Sequence, residues 1–307
     1  MSSNQDKTIV VFSATGAQGG SVVDSLLDAG YKVVGITRNT ESSSAQALKK
    51  KGVQLATGDT NDANTYKEAL KGAYGVFVNV DFWSVYKATG YNADAAAKEE
   101  IRQATDAFKA AQEAGVKHVV YSTLDDKTQA PHWQSKADAS KWANQNGIPI
   151  TNLIITAYWE NITSFSLIQA KEDGTYVLNL PLLDDTKHWG FPVADTGLWA
   201  RAAFENPDKW IGKDLYAVSG EETTAEMAQI LSEISGKKVD TLHLTKEYFN
   251  SEAMKKQLGD EMWHNWDLFI ENRITRDVKA SMQVAPRASD FKTWAKNNEG
   301  VKKLLGL

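Results

Sequence analysis

Between two apolar runs the chain reads Ser13-Ala14-Thr15-Gly16-Ala17-Gln18-Gly19. Small residues at three-residue intervals, after a strand and at the mouth of a helix, suit a phosphate-binding turn. The first makes the tight bend, the second lets backbone approach a diphosphate, and the third lets helix pack on strand. The helix that follows presents free N–H groups and the positive end of its dipole to an anion. Thr15 and Gln18 add side-chain hydrogen-bonding groups. Ser13 stands where the pattern has glycine, and a positive φ there carries strain of about 1–3 kcal/mol. One strand later comes Thr37-Arg38-Asn39. An acid at that place would accept from a ribose 2′-hydroxyl, whereas the forked donors of an arginine fit a 2′-phosphate. Thr37 and Asn39 supply further donors. The expected ligand is NADP(H).

The elements that must hold these residues alternate. Strand-like runs cover Thr8–Phe12, Lys32–Thr37, Val53–Thr57, Gly75–Val80, Val116–Ser122 and Ile150–Thr156. Helical patterns cover Gly19–Ala29, Ala45–Lys51, Tyr66–Lys71, Asn92–Ala114 and Ser135–Gln145. This alternation predicts an α/β fold with a doubly wound parallel sheet, covered on both faces. Ligands of such sheets bind at the carboxyl ends of the strands. Those ends carry Ser13–Gly19, Arg38-Asn39, Asp59–Asp62, Asn79–Trp83, Ser122–Asp126 and Ala157–Asn161. After Asn161 the alternation breaks down. A helix to about Asn206, a strand at Leu215–Ser219, a helix at Thr223–Ser235 and a strand at Lys238–Leu244 are expected before a helical tail. The chain therefore divides into residues 1–160 and a smaller C-terminal α+β lobe over 161–307, of which about 191–219 returns to the first domain.

The 307 residues contain no cysteine, so disulfides and thiolate metal sites are excluded within this chain, and no metal site is expected. A net charge of −5 and the lack of a helix with a dense basic face argue against direct nucleic-acid binding. No apolar run is long enough to span a membrane. The polar Met1–Lys7 has no signal-peptide character, which suggests the cytoplasm, with the nucleus as a second site. Monomer and homodimer are equally compatible with the sequence. Trp263 and Trp266 lie close together in a polar stretch and are candidates for lining a pocket.

Several blocks together carry a family likeness. "VVFSATGAQGGSV", "GITRN", "GDTND", "GAYGVFVNVDFW", "HVVYSTLDD", "HWQSKADASKWANQNGIPIT", "AYWENI" and "FPVADTG" resemble the NmrA-like family of atypical short-chain dehydrogenase/reductases, NADPH redox-sensor members among them. The resemblance implies an extended Rossmann fold with NADP(H) in its crevice. It implies cofactor contacts at Thr15, Gly16, Ala17, Gln18 and Gly19, at Arg38, at Asp59, Thr60 and Asn61, and at Asn79, Val80 and Asp81. It extends them to Lys98, Lys136 and the stretch Tyr158, Trp159, Glu160 and Asn161.

Reductases of the wider superfamily pair a proton-donating tyrosine with a lysine four residues later. Here the residue four before Lys136 is His132. Two readings follow. In one, the protein binds NADP(H) with little or no turnover and reports its redox state to a protein partner such as a transcription factor, as family members do. In the other it is an NADPH-dependent reductase of quinones or enones. Lys136 would then hold the cofactor ribose, and His132, Tyr158 or an ordered water would deliver the proton. The missing tyrosine favours the sensor.

Overall fold

The computed structural model describes residues 4–307. The chain forms two compact units. One runs to Ile155 and resumes over Ala194–Ala217, and the other comprises Thr156–Val193 and Val218–Leu307. The boundary expected at residue 160 thus falls at Ile155, and Tyr158–Asn161 belong to the second unit.

The first unit is built on a seven-stranded parallel sheet. Its order is Asp214–Tyr216, Ile150–Ile154, His118–Thr123, Gly75–Val78, Thr8–Val11, Lys32–Thr37, Gln54–Thr57. The chain builds outward from Thr8–Val11 in one direction and then returns to build on its other side. The crevice between Thr8–Val11 and Gly75–Val78 is therefore the switch point, where ligands of such sheets sit. The central strands are apolar on both faces because helices cover both: Ile9, Val10, Val11, Val76, Phe77 and Val78 have no exposure. Against one face lies the Ala93–Glu113 helix. Its Ala104, Ala107, Phe108 and Ala111 pack on Val10, Val76, Val119 and Tyr121. The small alanines let the helix approach closely, while Phe108 meets Tyr121 edge-on at 5.0 Å. The helix starts where Asn92 Oδ1 accepts from the Ala95 N–H at 2.9 Å.

Some helices depart from expectation. The helix at the opening turn begins at Ala17, two residues before the expected Gly19, and the one expected over Ser135–Gln145 begins four residues earlier, at Pro131. Phe82–Ala88, whose Phe82, Val85 and Tyr86 make only a short run at helical spacing, is also helical. It is nucleated by Asp81, whose carboxylate accepts from the Trp83 N–H at 3.1 Å and from the Ser84 hydroxyl.

In the second unit Val239–Asp240, Tyr176–Leu178 and Ile168–Ala170 form a small mixed sheet in that order. Ala157–Tyr158 pairs with Gly190–Phe191. The Thr224–Ser235 helix opens with a reciprocal Thr223/Glu226 capping box and closes at left-handed Gly236. The strand expected over Lys238–Leu244 shrinks to Val239–Asp240. Beyond it His243 adopts a φ of 49° and bridges the carboxylates of Asp184 and Asp240 at 2.7 and 2.8 Å. Helices then dominate through Glu299–Leu305. Trp263 stacks on Phe249 and donates to the Phe249 carbonyl, a packing role. Trp266 lies beside His188. No helix among the described residues is long and apolar enough to cross a membrane.

Candidate functional site

Parallel pairing brings the ends of the strands at Thr8–Val11, Lys32–Thr37, Gln54–Thr57, Gly75–Val78 and His118–Thr123 to one edge of the first unit. At the end of the first strand the backbone turns sharply. Ala14 N–H donates to Ile36 C=O at 3.1 Å and Gly16 N–H to Ser13 C=O at 2.9 Å. Ser13 takes a φ of 51°, the left-handed conformation that favours glycine. Gly19 has no room for a side chain, since a Cβ there would lie 2.1 Å from the Ser13 carbonyl oxygen and 2.7 Å from its carbon. The Ala17–Asp28 helix thus starts directly on the end of the strand. Its N-cap, Gly16, makes no side-chain cap, and its first turn carries no acid. Gln18 Oε1 is buried with no partner among the described residues. Uncapped N–H groups and a backbone that comes close make a cradle fitted to an anionic diphosphate.

Arg38 is exposed at the end of the second strand and makes no hydrogen bond or ion pair among the described residues. Thr37 beside it is buried, its hydroxyl turned to the Asn39 N–H at 3.4 Å. The Asp59-Thr60-Asn61 loop is held from within. The Asp59 carboxylate accepts from the Asn61 backbone and side-chain amides, both at 2.9 Å. The Asn61 carbonyl accepts from Arg102 at 3.1 Å and its Oδ1 from Gln103 at 2.9 Å. Arg102 is in turn held by Glu99 and Asp106. The two side chains predicted to touch cofactor therefore brace the loop, leaving its backbone and the half-buried Thr60 to face a ligand.

At the next strand end Asn79 is half-buried, Val80 is buried, and Asp81 caps the following helix. Lys136 reaches this point from the Pro131–Gln145 helix. Its Nζ donates to the Val80 carbonyl and to Glu100 Oε1, both at 2.8 Å. Glu100 has no exposure, and the Ser135 hydroxyl donates to its other oxygen. Sequence reading missed Glu100. The signal was there, because Ala96, Glu100, Ala104 and Ala111 fall on one buried stripe where an acid has no place without a partner. Lys98, carried over from the family, is exposed and unpaired among the described residues, about 200° around the helix from Glu100. The structure does not bring it to Lys136. His132, one turn before Lys136, is buried with its ring 4.9 Å from Trp83 and 5.8 Å from Phe82. Burial, and then the charge of Glu100, hold the Tyr121 hydroxyl protonated well above its usual range.

The remaining predicted contacts lie in the second unit. Tyr158 packs edge-on against Phe191. Asn161 is exposed. Glu160, half-buried, accepts from the Val193 N–H at 2.9 Å and the Trp294 indole N–H at 3.1 Å. Trp159 has no exposure, so it serves as core. Its indole lies across the paired Gly190 and Gly220, where added Cβ atoms would come within 2.1 Å of Nε1 and 2.7 Å of Cζ2. The same register sets His188 opposite Glu222, with His188 N–H on the Glu222 carbonyl at 2.9 Å. Trp159 Nε1, both His188 ring nitrogens and Glu222 Oε2 are buried without partners among the described residues. Burial pushes His188 down to about 4 and Glu222 up to about 7.

The first unit is a dinucleotide-type, doubly wound α/β domain with an anion cradle at its switch point. The model of the NmrA-like family matches residues 5–296, and the chain belongs to that family. It is 28% identical over 260 residues to the NmrA-like family domain-containing oxidoreductase malD of Malbranchea aurantiaca, covering 78% of this chain and 76% of the relative. It is equally identical over 249 residues to the similarly named oxidoreductase himF of Aspergillus japonicus, covering 75% and 73%. Among solved structures it is similar to NmrA, a negative transcriptional regulator, in complex with NADP. That match has a TM-score of 0.80 at 20% identity and covers 99% of this chain and 98% of that one. It is also similar to the NADPH-dependent quinone oxidoreductase QOR2 of Escherichia coli, with a TM-score of 0.72 at 23% identity, covering 92% and 97%.

Two outcomes follow from this geometry. Ser13→Gly relieves a strained φ and should raise unfolding stability by about 1 kcal/mol in denaturant titration, while Gly19→Ala, driven into the Ser13 carbonyl, should lower it. Glu222 has a raised carboxyl, so its stabilising contribution is present below pH about 4.5 and lost as pH rises through about 7. Thermal melts of wild type and Glu222→Gln should therefore show the variant gaining on the wild type between pH 5 and 8. A constant difference over that range would refute a buried, protonated Glu222.

Proposed function

We propose that the first unit binds NADP(H) and that the protein uses it as a reductase of conjugated acceptors such as quinones and enones. The observation that carries the cofactor reading is the uncapped Ala17–Asp28 helix set on the Ser13–Gly19 turn, one strand from an Arg38 that is unpaired among the described residues. Residues 15–19 would hold the diphosphate, Arg38 the 2′-phosphate, the 59–61 backbone the adenine side, and Asn79, Val80 and Lys136 the nicotinamide ribose. When bound, the cofactor supplies a hydride. Lys136 is a charged donor already fixed on the Val80 carbonyl, so it would orient a ribose hydroxyl with little reorganisation. No tyrosine stands four residues before it, and His132 is wedged against Trp83 and Phe82. The usual tyrosine acid is therefore missing, which suits acceptors whose conjugation stabilises the developing oxyanion. The oxidoreductase names of relatives such as malD and himF support this reading.

A sensor that binds NADP(H) without turnover, and signals to a regulatory protein in cytoplasm or nucleus, is the second reading. The same missing acid favours it, as does a Lys136 whose charge is already neutralised by Glu100.

Two measurements decide. Arg38→Asp should weaken NADP binding roughly ten- to a hundredfold, the worth of a charge-assisted forked pair, while NAD binding changes little. Equal losses for both would remove the 2′-phosphate assignment. Loss of the reduced-nicotinamide absorbance should accompany addition of simple quinones or enones. No oxidation with any of them, together with an NADP/NADPH-dependent change in protease pattern, would leave the sensor standing.

A further inference from the structure

A lysine ammonium and a glutamate carboxylate buried in the same interior are costly to desolvate. Replacing such a pair by well-packed apolar residues is often neutral or stabilising. The pair at Lys136 and Glu100 therefore needs a reason beyond stability. The two come from different helices, and no ladder or cap obliges them to meet. Glu100 is wholly enclosed, and the Lys136 side chain is nearly so. The carboxylate is divided: one oxygen takes the ammonium at 2.8 Å, the other takes the Ser135 hydroxyl. The neighbouring hydroxyl of Tyr121, also fully buried, has no partner among the described residues. The ammonium has three N–H donors. Two are fixed, on Glu100 and on the carbonyl of Val80. Val80 follows the fourth strand of the seven, at the edge where such sheets hold their ligands. One donor remains.

We propose that Glu100 is the positioning residue of the cofactor site: it keeps Lys136 charged inside the domain and fixes two of its donors so that the third is offered to a hydroxyl of the nicotinamide ribose. This rests on the reading that the unit binds NADP(H). Ser135 supports the arrangement by fixing the second carboxylate oxygen. Without the carboxylate, an ammonium in that enclosure is disfavoured and loses its proton as pH rises. Lys136 then turns from a donor of charge-assisted hydrogen bonds into a neutral amine. A purely structural pair would make a different prediction, because its loss would lower stability and leave cofactor affinity independent of pH.

The test is calorimetric titration of wild type, Glu100→Gln and Glu100→Asp with NADPH from pH 7.5 to 9, above the titration of the cofactor's own 2′-phosphate, with thermal melts alongside. Wild type should bind with an affinity almost flat in pH. Glu100→Gln keeps shape and hydrogen bonding but removes the charge. It should bind about tenfold more weakly at pH 7.5, the order of one charge-assisted hydrogen bond, and weaken further as pH rises. Glu100→Asp keeps the charge but withdraws it by about one methylene; it should lose affinity a few-fold with a flat profile, and it serves alone if the glutamine variant does not fold. A lowered melting temperature with wild-type affinity at every pH, in either variant, would overturn the positioning role and leave cofactor binding intact. Absence of heat from wild type would overturn both.

Discussion

The arrangement of the first unit depends on one close approach, that of Gly19 to the Ser13 carbonyl. No Cβ fits between them, since it would come within 2.1 Å of the oxygen. That contact sets the Ala17–Asp28 helix directly on the end of the Thr8–Val11 strand, so the helix's first N–H groups open onto the switch point of the sheet. A side-chain cap at Gly16 would satisfy those groups, and an acid in the first turn would repel an anion; the helix has neither. Ser13 persists at a φ of 51° because the Gly16 and Ala14 amides clamp the turn on both sides. The strain is concentrated where backbone, rather than side chain, must face a ligand.

Around that point each strand end contributes a differently prepared group. Arg38 has no partner among the described residues. The 59–61 loop is stiffened by Asp59, Asn61 and the Arg102 network on the Ala93–Glu113 helix. Lys136 is charged and tethered by Glu100. The same helix thus braces the loop through Arg102 and Gln103 and tethers the lysine through Glu100, while its alanine face builds the core. Rigid support on one long element is what holding an extended ligand in register requires.

Much of this was legible in sequence because the physics is local. Glycine spacing, apolar strand runs and helix-ending glycines gave six of the seven strands and the long helix to within about two residues. What escaped was set by tertiary context. The Phe82–Ala88 helix is only two turns long, so Asp81 and the short Phe82, Val85, Tyr86 spacing are all that announce it. Glu100 is an ordinary helical residue until Lys136 arrives from a helix 30-odd residues away. In the second unit Trp159 and Glu160 looked like ligand contacts through family likeness, yet the fold uses them internally, Trp159 over a glycine pair and Glu160 between Val193 and Trp294. The cross-strand pairing that sets His188 opposite Glu222 joins residues 34 apart with no periodic signal between them.

The most direct measurement is an amide-resolved NMR titration of the labelled protein with NADPH. Binding of the diphosphate at the opening turn predicts that the resonances of Ala17, Gln18 and Gly19 move first and furthest, with the Arg38 side-chain N–H alongside, and saturate at one equivalent. Saturating NADPH that leaves those amides unmoved, whatever else shifts, would contradict it.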